Sequence, residues 1–192
     1  MTCIFENTFR YLCVLFTPLM TGSSRRGVYA ELYVRSLAPR GVMDRQQAVL
    51  DSVATLAARE TLTDYRVYVC GSEIPATPAE TTTEFGEYLL ERTAVFAAWA
   101  DRNGYSLGTL FERRSVHSSL TGQHRETLVF PVMALAEYVG TDLRFVAPCS
   151  ADDETVTVHD RLAELAAGID VETTVLPDVR AAPPEPSKPL VQ

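Results

Sequence analysis

The sequence predicts an α+β protein, a two-layer sandwich in which helices cover one face of a mixed sheet. Three observations support this prediction: short segments of alternating apolar residues, longer segments with apolar residues at helical spacing, and turn residues between them. The elements follow one another as βαβ-α-βββ-α. The first βαβ unit predicts a right-handed crossover between parallel strands. The chain has 192 residues, of which 46% are hydrophobic, so it can form one domain with a buried core.

The first three predicted elements form the βαβ unit. Apolar residues alternate over residues 28–37, which predicts a strand. A helix follows, and Asp44 with Gln47 three residues later has the spacing of a capping box at its start. Apolar residues at helical spacing extend this helix to about Leu62, and residues 65–70, rich in β-forming side chains, predict the second strand.

A long second helix is predicted after a connector rich in proline and threonine at residues 72–80. Thr81 and Glu84 have the spacing of a capping box, and Asn103-Gly104 ends the helix. Four aromatic residues lie on one stripe of the helix, which predicts that this side faces the core rather than stacking on bases. They are Phe85, Tyr88, Phe96 and Trp99.

Three strands and a last helix complete the predicted fold. The strands are predicted over residues 109–118, 127–139 and 143–147. Residues 119–123 form the turn between the first two of them, so these two strands form a hairpin. Thr157 and Asp160 cap the last helix, which continues to Gly168.

The predicted domain covers residues 28–170 and has segments of different composition on both sides. Residues 1–27 are predicted to be an extension outside the core, and residues 171–192 a proline-rich disordered tail. The apolar run at residues 11–20 is too short to span a bilayer, and it lacks the basic start and cleavage site of a signal peptide. Translation from Met20 is the alternative to translation from Met1.

The composition indicates adaptation to high salt. The net charge is -8, and the only lysine is Lys188, so arginine supplies nearly all of the positive charge. Molar salt screens the repulsion among the excess carboxylates, although a high-GC genome also favours arginine. No CxxC pair occurs, which excludes a zinc ribbon or a redox dithiol and favours a reduced, cytoplasmic location. The four cysteines are Cys3, Cys13, Cys70 and Cys149.

One basic segment differs from the acidic remainder of the chain. Residues 113–125 contain three arginines and two histidines but no acidic residue, and they surround the predicted hairpin turn. Arginines and loop N–H groups at such a turn suit a phosphate or carboxylate, and a basic hairpin is one way to contact a nucleic-acid backbone. The alternative is that the arginines pair with Glu112, Glu126 and other acids on a solvated surface. The candidate binding residues are Arg113, Arg114, His117, His124 and Arg125.

No residue is predicted to be catalytic. The chain contains no nucleophile elbow, phosphate-binding P-loop or dinucleotide-binding glycine pattern. Cys149 and Ser150 follow a strand, where α/β proteins often carry nucleophiles, but a solvated turn and helix cap is the better interpretation of this stretch. His117 and His124 do not match a known metal-ligand spacing. We therefore predict neither a metal nor a cofactor.

Three segments resemble a family of small haloarchaeal proteins labelled as helix-turn-helix domain proteins. They are ELYVRSLAP at residues 31–39, PVMALAEYV at residues 131–139 and LRFVAPCS at residues 143–150. The resemblance extends over about residues 28–168 and agrees with the salt-adapted composition. It implies DNA binding and transcriptional control without catalysis, and it carries no defined set of functional residues.

Three hypotheses for the function follow. The first is a DNA-binding regulatory domain that contacts its partner through Arg113, Arg114 and Arg125. The second is a sensor or enzyme for a small anionic ligand, held by the loop at residues 113–125; a concave pocket would favour it, and a protruding hairpin would favour DNA. The third is an interaction module that uses an exposed sheet face or edge. No membrane partner is predicted, and the oligomeric state stays open.

Overall fold

The computed structural model describes residues 27–36, 43–108, 111–117, 124–152, 154–169 and 176–177. These residues form three helices and ten strands. In chain order they are β1 (Val28–Val34), α1 (Met43–Ala58), β2 (Leu62–Val69), β3 (Glu73–Pro75), α2 (Glu84–Asn103), β4 (Glu112–His117), β5 (His124–Val129), β6 (Met133–Val139), β7 (Asp142–Ala147), β8 (Cys149–Ala151), β9 (Glu154–Val156), α3 (Val158–Ala166) and β10 (Leu176–Pro177).

The main sheet has five strands in the order β10-β7-β6-β1-β2. Strands β1 and β2 are parallel, and α1 connects them, as the βαβ pattern predicts. Strands β6, β7 and β10 join by antiparallel pairing, so the sheet is mixed. The predicted α+β class is confirmed.

Helices contact both faces of this sheet, although the sequence pattern predicted helices on one face only. On one face, the Tyr33 ring of β1 packs edge-on against Phe96 of α2, 5.6 Å between centroids. On the other, Glu137 of β6 pairs with Arg161 of α3. The α2 face was missed because it is polar in sequence: Glu31, on the same face as Tyr33, is buried and accepts a 2.7 Å hydrogen bond from the Tyr33 hydroxyl. In the alternating pattern of the sequence, a carboxylate that is buried and hydrogen-bonded to a tyrosine cannot be distinguished from one that faces solvent.

A second sheet carries the hairpin. Its strands run in the order β3-β5-β4, all antiparallel. The strand predicted over residues 127–139 is in fact two strands, because the chain leaves one sheet and enters the other around Pro131, which has no N–H for a ladder hydrogen bond. Part of the predicted connector is β3, in which Ile74 lies opposite Leu128 of β5.

The segments outside the predicted domain are described only in small part. The predicted extension, apart from Gly27, and its apolar run lie outside the described residues. Within the predicted tail, Leu176 pairs with Leu143 of β7, and residues 171–175 and 178–192 lie outside the described ranges. No helix in the described ranges combines the length and apolarity needed to cross a membrane.

Candidate nucleic-acid interface

Strands β4 and β5 divide the five predicted binding residues between two faces. In the antiparallel register, His117 lies directly opposite His124, and Arg113 lies opposite Leu128. Since residues alternate between the two faces of a strand, Arg113 and His117 belong to one face, and the backbone position of His124 lies on the same face. Arg114 belongs to the other face, together with Arg125, which lies opposite Val116. The hairpin therefore carries basic residues on both sides rather than in one cluster.

Two of the arginines have acidic neighbours on the same hairpin. The Nη2 atom of Arg114 lies 3.0 Å from Oε2 of Glu112, and Nη1 of Arg113 lies 3.9 Å from Oε2 of Glu126. All four side chains are more than two-fifths exposed. Exposed pairs of this kind contribute between zero and about 1 kcal/mol, so a phosphate can replace either carboxylate at little cost.

Arg125 differs from the other two arginines. Its side chain is exposed, and within the described ranges it forms no ion pair or hydrogen bond. The side chain of His124 and residues 118–123 lie outside the described structure. Arg125 is accordingly the guanidinium on this hairpin that is most available to an added anion.

The helices do not offer a comparable basic surface. The first turn of α2 carries Glu84 and Glu87, and its Arg92 is buried beneath Tyr138, to whose hydroxyl it donates a 3.3 Å hydrogen bond. Arg161 of α3 is buried as well. Helices α1 and α2 are separated in sequence by β2 and β3, so no two described helices are joined by the short turn of a helix-turn-helix unit. The hairpin is the better candidate contact.

These features define a mixed α+β domain with a basic hairpin and acidic helices. The chain belongs to the helix-turn-helix domain family, whose model matches residues 22–170. No curated protein and no solved structure matches the chain significantly. The match covers all three helices and every described strand except β10, so it extends over nearly the whole domain rather than one pair of helices.

A groove of about 940 Å³ lies between α2 and the hairpin sheet. Arg113 is the one predicted binding residue among its lining side chains, and the carboxylates of Glu87, Glu91 and Asp101 share the lining with it. Three carboxylates repel an anion more strongly than one guanidinium attracts it. This groove therefore does not suit the small anionic ligand of the second hypothesis.

Cys149 does not have the surroundings of a nucleophile. Its side chain is buried, and burial raises the pKa of its thiol to about 12. The thiolate is the reactive form, so the thiol is inert near neutral pH. Nearby, Thr157 and Asp160 form the predicted capping box of α3, and these hydrogen bonds lower the pKa of the Asp160 carboxyl. Across the described ranges, no three His, Cys, Asp or Glu side chains converge as metal ligands.

The buried thiols give a first testable expectation. In a Cys3→Ser, Cys13→Ser background, Cys70 and Cys149 should not react with a thiol-specific disulfide reagent at mildly alkaline pH until the protein is unfolded. Burial raises the pKa of Cys70 to about 12 as well, so both thiols are protonated and covered. An added Ser115→Cys substitution at an exposed position of β4 is the reactive control. Rapid labelling of native Cys149 would contradict the inert assignment.

Sequence reasoning missed a charged cluster in the core. Arg161 binds Glu137 through two hydrogen bonds of 2.7 and 2.8 Å and Glu164 through a third of 2.9 Å. Its guanidinium also lies 4.6 Å from the centre of the Phe145 ring. Glu137 lies within an otherwise apolar strand, and this was the available signal, because a buried carboxylate needs a partner such as a cation or a hydrogen-bond donor. The cluster attaches α3 to the sheet.

Proposed function

We propose that this protein is a non-enzymatic DNA-binding domain with a role in transcriptional regulation, and that the β4–β5 hairpin is its contact surface. Membership of the helix-turn-helix domain family supports DNA binding. We choose the hairpin because exposed arginines lie on both of its faces. A DNA-binding role also agrees with a cytoplasmic location in a cell without a nucleus.

The hairpin has the form of a β-ribbon that lies along a groove of DNA. Arg113 on one face would meet a phosphate of one DNA strand, and Arg114 and Arg125 on the other face would meet phosphates of the second strand. Such contacts position a protein without reading sequence, and their strength depends on salt because each one releases counterions. The carboxylates of α2 share a groove with Arg113 and would repel DNA there, so the face of Arg114 and Arg125 is the more favourable side for DNA.

The test replaces all three hairpin arginines with serine and measures duplex DNA binding by fluorescence anisotropy over a series of salt concentrations. We expect the affinity to fall and the slope of log K against log salt to decrease by about 3, since each lost phosphate contact changes it by about 0.9. Circular dichroism checks that the variant is folded. A parent protein without DNA affinity would contradict the proposal.

A matched control removes the same charge elsewhere. Arg45, Arg59 and Arg102 are exposed and lie outside the hairpin, on or beside α1 and α2. Replacing these three with serine should leave the salt slope close to that of the parent. Equal losses in the two triple variants would show that net charge, rather than the hairpin, determines binding.

A further inference from the structure

Strand β2 forms an open edge of the main sheet. It is the outermost strand next to β1, and no strand in the described ranges pairs with its other side. The Cys70 N–H donates to the Val34 carbonyl of β1 at 2.8 Å. Successive residues of a strand point their N–H and C=O groups to opposite sides. Cys70 points these groups to β1, so the N–H and C=O groups of Tyr65 and Val67, an odd number of positions away, point away from β1. The eight residues Leu62–Val69 therefore form a strand with one unpaired edge, and such an edge can pair with a further strand.

The outward direction of Tyr65 has independent support. Its backbone N–H is hydrogen-bonded at 2.8 Å to Oδ1 of the adjacent Asp64 rather than to β1. A local side-chain acceptor of this type occupies the N–H while no strand is present, and it competes weakly with a ladder hydrogen bond. An incoming carbonyl can therefore replace the carboxylate, which then becomes available for a charged partner.

The charges on β2 select one partner and one register. Asp64 and Arg66 are both exposed and, being two residues apart, lie on the same face of the strand. If a second copy of β2 pairs antiparallel about a two-fold axis at Tyr65, Asp64 of each copy faces Arg66 of the other. An axis at Asp64 or at Arg66 would instead place like charges opposite each other, which is unfavourable.

We propose that this chain forms a symmetric dimer through antiparallel pairing of β2 with β2 of a second copy, centred on Tyr65. The two five-stranded sheets then become one continuous sheet. Backbone hydrogen bonds provide the attachment, and the two Asp64–Arg66 pairs fix the register. The dimer does not depend on DNA binding by the hairpin.

The test uses charge reversal and its rescue, with the oligomeric state measured by sedimentation equilibrium. The parent protein should be a dimer. Asp64→Arg alone and Arg66→Asp alone should each weaken self-association by about tenfold or more, because both cross-strand pairs become repulsive. An equimolar mixture of the two variants should form a heterodimer, and the double variant Asp64→Arg/Arg66→Asp should dimerise like the parent. A monomeric parent, or a mixture that stays monomeric, would overturn the proposal.

Two further variants distinguish strand pairing at the β2 edge from the general effects of a changed charge or a lost fold. Val67→Pro removes an outward N–H that β1 does not use, so the fold should survive while the dimer is lost. Arg102→Asp makes the same charge change as Arg66→Asp at an exposed position on α2 and should leave the dimer intact. Circular dichroism of each variant establishes the fold. A dimeric Val67→Pro protein would exclude β2 as the interface.

Discussion

Replacing Arg161 with methionine is expected to lower the free energy of unfolding by about 3–5 kcal/mol. The side chains of Arg161 and Glu137 are 1% and 0% exposed, and two short hydrogen bonds join them. Methionine fills much of the same space but leaves the Glu137 carboxylate in the core without its cation. Urea unfolding followed by circular dichroism measures the loss.

A double variant distinguishes the buried charge from the lost volume. Glu137→Leu together with Arg161→Met replaces both ions by apolar groups and should recover most of the stability that the single substitution removes. Arg114→Met breaks an exposed ion pair with Glu112 instead, and it should change the unfolding free energy by less than about 0.5 kcal/mol. A loss below about 1 kcal/mol for Arg161→Met would contradict a structural role for the pair.

The loss of unfolding free energy caused by Arg161→Met, called the deficit below, should also depend on pH. Burial raises the pKa of the Glu137 carboxyl, and the hydrogen bonds and charge of Arg161 oppose that rise. Without Arg161, the folded-state pKa lies further above the unfolded value of about 4.3. The deficit is therefore smallest below that value, where the carboxyl is protonated, and it increases as the pH rises through the folded-state pKa. A deficit that is constant with pH would contradict this assignment.

Local signals in the sequence predicted some helix ends better than others: α1 was predicted to continue to about Leu62, but it ends at Ala58, and Leu62 begins β2. The cap of α3 at Thr157 and Asp160 is confirmed, because a capping box is formed by residues three apart and needs no distant partner. For α2 the predicted cap was two residues early: Thr83, not Thr81, accepts the hydrogen bond from the Gly86 N–H. Consecutive threonines offer equivalent hydroxyls, and only the path of the chain decides among them.

Pairing between distant segments was not predictable in the same way. The contact of β3 with β5 and the Arg161–Glu137 pair join residues far apart in sequence, and the register of such contacts depends on the whole core. Once the pairing of His117 with His124 is known, the division of the hairpin residues between two faces does follow, because residues alternate between the faces along each strand. The residue types of this site were visible in the sequence, but their arrangement required the register.

Replacing Trp99 with alanine is expected to lower the free energy of unfolding by about 3–5 kcal/mol. The indole is fully buried, stacks on Tyr105 with 5.3 Å between centroids, and packs edge-on against Phe145 at 5.4 Å. Its N–H donates a 3.0 Å hydrogen bond to the Arg144 carbonyl of β7. One side chain thus joins the end of α2 to β7, and alanine would leave a large cavity there.

Trp99→Phe separates the hydrogen bond from the packing. It retains most of the apolar contact and should recover more than half of the loss, with the deficit reflecting the unsatisfied Arg144 carbonyl and the smaller ring. Circular dichroism is the suitable measurement, since the chain has 1 tryptophan and both variants remove its fluorescence. Val132→Ala, at a 38% exposed position, is the control and should cost less than about 0.5 kcal/mol. If Trp99→Ala costs no more than this control, α2 is not fixed to β7 at this point, and the position of the acidic helix relative to the hairpin must depend on other contacts.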